Sequence, residues 1–399
     1  MIFNSKFQDK GDRGCSFKYN KESLKVRDAF VYLGTFMCDG DLLLRSKNAF
    51  THRFNKAKRA LYLMKGKCRC MGINNVETNL HLYEALVLSS LNFGCEIWGP
   101  ALLNERDILN DHEVEKWHRM FLRQRLGVSK TTSTLCLMEE LQRVPITIYW
   151  IKLVLGFWNR TMDKEESDLS FLAMRASLEG DWGWVKTMNM ALNKLGSSVQ
   201  LVDCVQVDVD DIIEEVVRKW KYSSRVNVCD MNIRDIDDNH RKRFKVIKYL
   251  KWFSRNPDMD MKSNYTSKLF SADQIRVIAK FRLSCHCLNC EHLRMIEGVN
   301  VPRSKRICGC CPFNKIEDEM HVFECPFYND IRLEYYSLFQ HLCRNVFQDD
   351  DMVVWNWEFS DDKFREFMNG DGDPSFWPKL ANYLIACKKK RQSCIQVSI

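Results

Sequence analysis

The spacing of apolar residues predicts that most of this chain is helical. In residues 45–69 one stripe recurs at intervals of three and four positions, the period of an amphipathic helix. Its members are Phe50, Phe54, Ala57, Leu61 and Met64. Residues 76–98 and 113–126 predict two more helices, and Leu86–Leu88 in the first of them is apolar on all sides, which is typical of the centre of a bundle. Gly127 is suited to end the third helix.

Other periods and breaks divide the rest of the chain. Residues 1–40 alternate polar and apolar positions between glycine-containing turns, which predicts short β-strands. Gly94 and Gly99 are expected to punctuate the end of the second helical segment. Residues 131–200 return to a helical pattern that breaks at Pro145. Further helices are predicted over residues 271–297, about 327–347 and 377–390.

The helix predicted over residues 45–69 carries nine cationic side chains and no acidic one. An ordinary solvated helix mixes charges of both signs, because opposite charges four positions apart stabilise it. Nine like charges repel one another unless a polyanion lies against them, so contact with nucleic-acid phosphates is one interpretation. A merely basic, solvated face is the other. The cations are Arg45, Lys47, Arg53, Lys56, Lys58, Arg59, Lys65, Lys67 and Arg69.

The composition narrows the class of protein. The net charge of +8 is modest for 399 residues, so it matters only where it is concentrated. Eighteen cysteines would suit a secreted disulfide protein, but the first residues have no apolar core of a signal sequence. We therefore expect reduced cysteines and an intracellular protein, in the nucleus or the cytoplasm. No apolar run approaches the ~20 residues that span a bilayer, so no membrane partner is expected.

A cysteine- and histidine-bearing motif follows in the last third of the chain. Cys308, Cys311, His321 and Cys325 have the spacing Cys-x2-Cys-x9-His-x3-Cys. A tight turn brings the first two thiolates together, and the last two ligands lie one helical turn apart. Four such ligands form the closed tetrahedron of a structural zinc site, with no open position for catalysis. Cys310 competes, but adjacent cysteines chelate one ion poorly, and the alternative is a set of buried thiols.

A second group of potential ligands precedes this motif. Its members are Cys285, His286, Cys287, Cys290 and His292. The pair Cys287 and Cys290 has the spacing of metal ligands, so a second zinc site is one interpretation, and a packed thiol cluster is the other. Alternatively, Cys287 and Cys290 exchange with Cys308 or Cys310 as ligands of the first site.

Four segments, taken in order, resemble a known family. They are Ala29-Phe-Val-Tyr-Leu-Gly34, Leu82-Tyr-Glu-Ala-Leu-Val-Leu with Phe93-Gly-Cys-Glu-Ile-Trp98, Trp117-His-Arg-Met-Phe-Leu-Arg-Gln-Arg-Leu-Gly127, and the Cys/His motif that begins at Arg306. Together they are similar to the non-LTR (LINE-type) retrotransposon reverse transcriptases, in the part that follows the palm. The resemblance implies the last palm strands, a helical thumb that grips template and primer, and a C-terminal Cys/His knuckle. Residues 165–260 contribute nothing to it.

The same resemblance implies that this chain carries no polymerase centre. In that family the magnesium-binding aspartates lie on palm strands before the Tyr-Leu-Gly element, and we expect this chain to begin after them. Phe359-Ser-Asp-Asp362 fits the letter pattern of the aspartate hairpin, but it follows the thumb. Ser360 or Asp361 is instead expected to cap a helix. We therefore expect no enzymatic activity.

These observations predict a mainly α-helical fold, with a thumb-like helical bundle, a small N-terminal β remnant and a small zinc-stapled C-terminal module. The expected function is that of a non-catalytic, C-terminal reverse-transcriptase fragment that binds RNA template or target DNA. The alternative is a zinc-stapled protein-interaction module of a host-adopted retroelement gene, without nucleic-acid binding. The oligomeric state is open. The expected domains are 1–40 (β remnant of the palm), 41–130 (thumb-like), 131–270 (helical), 271–345 (zinc knuckle) and 346–399 (tail and helix).

Overall fold

The computed structural model describes most of the chain between residues 29 and 397. Most of the predicted β remnant lies outside the described residues. Residues 340–358, which include the start of the predicted C-terminal tail, also lie outside them. The predicted helix 327–347 is described only as far as Phe339. The described residues are 18–19, 22–23, 29–180, 183–229, 241–253, 265–266, 270–293, 295–296, 299–339, 359–370 and 375–397.

Helices dominate the described chain, so the predicted mainly α-helical fold class is confirmed. They are α1 (Leu42–Cys70), α2 (Val76–Leu82), α3 (Ser89–Asn92), α4 (Cys95–Leu103), α5 (Glu113–Leu126), α6 (Thr134–Leu141), α7 (Ile146–Met162), α8 (Leu169–Glu179), α9 (Trp184–Lys194), α10 (Val209–Cys229), α11 (Arg241–Trp252), α12 (Ala272–Arg282), α13 (Asn289–His292), α14 (His321–Glu324), α15 (Asn329–Glu334), α16 (Tyr336–Phe339), α17 (Asp361–Asn369) and α18 (Phe376–Val397). A π-helical turn, Tyr83–Leu88, joins α2 to α3, and 3₁₀ turns lie at Arg303–Lys305 and Pro326–Tyr328.

Three small antiparallel hairpins complete the described secondary structure. They pair β1 (Lys18–Tyr19) with β2 (Glu22–Ser23), β3 (Ala29–Tyr32) with β4 (Thr35–Cys38), and β5 (Met295–Ile296) with β6 (Val299–Asn300). The predicted β character near the N-terminus is therefore confirmed by two of these hairpins. Two compact units divide the chain: residues 1–73, 80–118 and 144–222 form unit 1, and residues 74–79, 119–143 and 223–399 form unit 2.

In unit 1, β3 and β4 form a tight hairpin directly before α1. Tyr32 pairs with Thr35, which leaves Leu33 and Gly34 as a two-residue turn. Both turn residues have positive φ angles, 45° and 82°, as a type I′ turn requires. The Tyr-Leu-Gly element of the sequence is therefore the turn of this hairpin. Asp41 then caps α1 by accepting a hydrogen bond of 2.7 Å from the Leu44 amide.

The predicted stripe of α1 lies in the core of unit 1. All five of its side chains are buried. Phe50 packs against Trp98 and Trp150, with ring centroids 5.9 and 5.8 Å away. Trp98 and Trp150 also meet each other edge to face at 5.0 Å. The aromatic side chains of α1, α4 and α7 thus form one packed cluster.

The predicted helix over residues 76–98 is interrupted. The helix ends at Asn92, and Gly94, with a φ of +74°, lies in the break before α4, as expected of a helix-breaking glycine. The expectation for Gly99 is wrong, because Gly99 lies inside α4. Gly99 faces α7, where an added Cβ atom would make an ordinary van der Waals contact of 3.5 Å with a methyl group of Val154. Pro145 separates α6 from α7, as the sequence predicts.

Unit 2 is organised around the buried guanidinium of Arg282, the last residue of α12. Its side chain and that of Glu140 are both 0% exposed, and Arg282 Nε lies 2.8 Å from Glu140 Oε1. The two remaining nitrogens donate to the carbonyl of Met368 at 2.8 Å and to that of Phe253 at 2.6 Å. Tyr265 donates to the second oxygen of Glu140. One side chain therefore ties α12 to α6, to the end of α11 and to α17.

Two helices of unit 2 have other lengths than predicted. The helix expected over residues 271–297 ends at Arg282, because Ser284 takes a left-handed conformation with a φ of 51°. The last helix, expected over residues 377–390, continues as α18 to Val397.

Among the described residues, no single helix is long and apolar enough to cross a membrane. The segment from α2 to α3 and helix α4, which are bent by 81° relative to each other, pass that test only as a pair.

We expect Arg282→Met to lower the free energy of unfolding of unit 2 by about 3–5 kcal/mol, because it leaves the buried Glu140 carboxylate unpaired. The double variant Arg282→Met with Glu140→Leu should be less destabilised than Arg282→Met alone. Urea unfolding followed by tryptophan fluorescence measures both changes. Arg276→Met is the matched control on the same helix, since Arg276 pairs with Asp273 at the surface and should contribute at most about 1 kcal/mol. Equal stability of the two single variants would contradict the role of Arg282.

Candidate functional site

The four predicted metal ligands lie on a loop that folds back on itself and on one short helix. Cys308 donates its amide to the Lys315 carbonyl at 2.8 Å, and the Glu317 amide donates to the Arg306 carbonyl at 3.1 Å. These bonds turn the loop so that Cys308 and Cys311 face the segment that follows. His321 begins α14, and the Cys325 amide donates to the His321 carbonyl at 2.7 Å.

The fold brings the four ligand atoms together. All four lie within 4.8 Å of one another. Cys308 Sγ is 3.9 Å from Cys325 Sγ, and Cys311 Sγ is 3.4 Å from His321 Nε2. Three of the residues are buried, and Cys311 is half-buried. This cluster could hold a metal ion through four protein ligands.

The protonation of the cluster suits a ligand set before metal binding. A hydrogen bond from the Cys325 thiol lowers the pKa of Cys308 to about 3. The same bond, together with burial, raises the pKa of Cys325, and burial raises the pKa of Cys311. Cys308 is therefore a thiolate stabilised by a neighbouring thiol, and a metal ion would displace the remaining thiol protons.

Cys310 also comes close to this cluster, with Cys308 and Glu317 as its neighbours. However, Glu317 is already committed, because its oxygens accept from the Arg391 guanidinium at 2.5 and 2.8 Å. Burial raises the pKa of Cys310 to about 12, and it also raises the pKa of Cys311, so protonation does not distinguish the two. Its amide donates to Cys308 Sγ at 3.4 Å, which is the contact of a residue that supports a ligand. These contacts favour Cys311 over Cys310.

The second predicted group of ligands separates in the structure. His286 and Cys290 lie together with Glu319, which the sequence pattern did not single out, within 4.8 Å. The thiol of Cys285 instead contacts the Thr132 hydroxyl at 3.1 Å, and Cys287 is exposed. The acid-rich run Ile316-Glu-Asp-Glu319, which ends two residues before His321, is the signal that could have pointed to Glu319.

A buried lysine shows that this second group is an ion-pair network. Lys248 Nζ lies 2.5 Å from Glu319 Oε1, and His286 Nε2 and the Ser284 hydroxyl donate to the same oxygen. Burial alone would raise the pKa of Glu319, but Lys248 and His286 hold it well below the usual value. Burial likewise acts to lower the pKa of Lys248, and Glu319 raises it above its usual value. The lysine ammonium supplies the positive charge that a metal ion would otherwise bring.

Several of the nine cations of α1 have partners within the protein. The ammonium of Lys58 lies 3.8 Å from the centroid of the Phe54 ring. Arg53 is 7% exposed; its guanidinium donates to the Gly34 carbonyl at 2.6 Å and lies 4.0 Å above the Phe93 ring. Arg45 lies 3.8 Å from Asp39, and Lys47 lies 3.1 Å from Glu105. The premise that all nine charges lack counter-charges is therefore wrong, and Arg53 anchors the β3–β4 turn and is not on the surface.

Lys58 and the other cations of α1 lie in its C-terminal two thirds. Lys58, Arg59, Lys67 and Arg69 are exposed, and Lys56 and Lys65 are half-buried. Tyr62, which is 79% exposed, lies on the same side of the helix as Lys58, Arg59 and Arg69, which are four, three and seven residues away. Burial lowers the pKa of His52, and the nearby cations Lys56, Arg53 and Arg59 lower it further. We call Lys58, Arg59, Tyr62 and Arg69 the basic face of α1.

The aspartate pair in Phe359-Ser-Asp-Asp362 has a structural role. Ser360 caps α17, as predicted, by accepting a hydrogen bond of 3.3 Å from the Lys363 amide. Asp361 accepts from the Trp252 indole at 2.5 Å and pairs with Lys251. Both contacts hold α17 against α11.

Comparisons of the chain with protein-family models, with curated proteins and with solved structures find no match. The geometry of the described residues is therefore the basis for inferring what the protein does. That geometry offers two features outside the hydrophobic core: the four-ligand Cys/His cluster in unit 2 and the basic face of α1 in unit 1.

We expect Glu319→Gln to destabilise unit 2 by about 3–5 kcal/mol at neutral pH, because it removes the carboxylate that lies 2.5 Å from the buried Lys248 ammonium. The pKa of Glu319 is lowered in the folded state, so its contribution is complete above the usual carboxyl pKa of about 4.3 and is lost as the pH falls through the folded value. The gap in unfolding free energy between wild type and variant should therefore close only in acid. Glu366→Gln, at an exposed position of α17, is the control. A gap that is absent at neutral pH, or equal to that of the control, would rule out the ion pair.

Proposed function

We propose that this chain binds RNA or DNA through the basic face of α1, and that a zinc ion staples the Cys/His module of unit 2. In this proposal the chain is a non-catalytic C-terminal part of a LINE-type reverse transcriptase. The observation that carries it is the exposed, acid-free basic face with an exposed tyrosine among its cations.

The chemistry of the basic face matches single-stranded nucleic acid. Lys58 and Arg69 are eleven residues apart, so the cations extend over about 17 Å of helix. Proteins that bind single strands without strong sequence preference combine such a track of charges with aromatic rings on which bases stack. Tyr62 is placed for such stacking, because it is four residues after Lys58 and seven before Arg69.

Zinc is the metal that best fits the Cys/His cluster. With bonds of about 2.3 Å to sulfur and about 2.0–2.1 Å to nitrogen, a tetrahedral zinc ion gives sulfur–sulfur edges of about 3.8 Å and sulfur–nitrogen edges of about 3.6 Å. The distances of 3.9 and 3.4 Å between the ligand atoms fall about 0.1–0.2 Å from these values. Three thiolates and one imidazole also favour zinc over magnesium or calcium, which prefer oxygen ligands. Such a closed ligand set stabilises a fold and leaves no site for catalysis.

The salt dependence of binding tests the role of α1. We expect the double variant Arg59→Glu/Arg69→Glu to bind a fluorescein-labelled single-stranded RNA at least about tenfold more weakly, because two cations that neutralise phosphates become two repulsive anions. The slope of log affinity against log salt should fall by about 1.4, since each phosphate of a single strand that is no longer neutralised lowers it by about 0.7. Fluorescence anisotropy measures both quantities.

The control for that experiment is Lys116→Glu/Arg175→Glu, which changes the net charge equally at two exposed positions outside α1. It should leave most of the affinity and the salt slope in place. Equal weakening by the two double variants would mean that binding reflects net charge alone. No binding by the wild type at low salt would favour the protein-interaction module.

Metal content tests the ligand set. We expect one zinc ion per chain by elemental analysis of protein purified under reducing conditions, and Cys311→Ser should lose it. Cys310→Ser is the matched control, one residue away, and should keep it. Substitution with cobalt should give the visible absorption of a tetrahedral thiolate site in the wild type and in Cys310→Ser. The opposite outcome for the two serine variants would assign the ligand role to Cys310.

A further inference from the structure

A small cavity lies in unit 2, beside the Cys/His cluster. Its volume is about 130 Å³, and its walls come from α12, the turn at residues 285–288, α14 and α18. The walls are mainly apolar, with Val277, Phe281, Leu288, Val322 and Leu384 among them. Val322 directly follows the ligand His321, so the cluster and the cavity share a wall.

Cations and one amide lie at the rim of this cavity. Lys280 of α12 and Lys388 of α18 line it, and Gln392 lies one turn beyond Lys388. No acidic side chain is among the described residues that line the cavity. Within the described part of the chain, neither lysine forms an ion pair, whereas the neighbouring Arg391 is held by Glu317. The rim therefore offers positive charge for an anion.

The size of the cavity limits its occupant to a small ring. Pockets for drug-sized ligands measure about 300–1,000 Å³, well above this volume. A cavity of about 150 Å³ lined by aliphatic and aromatic side chains holds one benzene ring. An occupant that joins a single flat ring to negative charges on either side meets both the apolar walls and the cationic rim.

We propose that this cavity takes one unpaired pyrimidine base of the bound nucleic acid, with the flanking phosphates at Lys280 and Lys388. The proposal deepens the proposed function and rests on it. The Gln392 amide carries both a donor and an acceptor, and the Watson–Crick edge of uracil or cytosine does too. A purine has a second fused ring, which exceeds the space. Binding should therefore favour pyrimidine-rich single strands.

The test compares two labelled RNAs, oligo(U) and oligo(A) of equal length, by anisotropy competition with the zinc-loaded full chain. We expect the wild type to prefer oligo(U) by at least about fivefold, the factor that about 1 kcal/mol of stacking provides. Val277→Phe narrows the cavity from a half-buried position of α12 and should abolish this preference. Lys280→Gln/Lys388→Gln should weaken oligo(U) more than oligo(A).

Two controls keep this result separate from the proposed function. Arg59→Glu/Arg69→Glu should weaken both RNAs alike and leave their ratio unchanged. Melting temperature and zinc content must match the wild type for Val277→Phe, and Leu384→Phe repeats the filling from α18 if they do not. Binding of both RNAs without a preference, or a preference that survives filling of the cavity, overturns the base pocket while the proposed function stands. No binding of either RNA overturns both.

Discussion

The burial of one full charge, that of Arg282, governs the arrangement of unit 2. A guanidinium that is 0% exposed is tolerated only if its donors meet acceptors, and each of the three it uses comes from a different segment of the chain. Burial acts to lower the pKa of Arg282, and Glu140 raises it above its usual value. The position of α12 is thereby set relative to α6 and α17.

The Cys/His module also contains buried charges that are held by ion pairs. Glu317 and Glu319 are two residues apart and nearly or fully buried, and they bind different cations, Arg391 and Lys248. The segment leading to His321 is therefore fixed by ion pairs with α18 and α11 before any metal binds. The same segment also enters an aromatic core, because Phe323 is 0% exposed and packs against the rings of Phe281, Phe367 and Tyr383. Paired charges and apolar packing therefore act together to fix the segment that carries His321.

The sequence predicts those features that depend on near neighbours. The stripe of α1 is visible because its residues are three and four positions apart, and the four metal ligands are visible because they lie within eighteen residues. The partner of Arg282 is 142 positions away, so no local pattern points to it. The prediction that Arg53 belongs to an exposed basic face fails for the same reason. Its guanidinium is buried against the Gly34 carbonyl, which only the folded hairpin brings near. The prediction for Gly99 fails because a local glycine does not reveal that the helix continues through it, from Cys95 to Leu103.

The paired and the exposed cations of α1 lie in different parts of the helix, which narrows the region available to a polyanion. Asp39 and Glu105 neutralise the first turns, and the core takes up Arg53, so the remaining cations are concentrated after residue 55. Lys67 and Arg69 lie in the last turn, where the negative end of the helix dipole stabilises them without any ligand. Lys58 and Arg59, in the middle of the helix, have no such support from the dipole. The case for a polyanion partner is therefore strongest at Lys58, Arg59 and Tyr62, over a shorter length of helix than the sequence alone suggests.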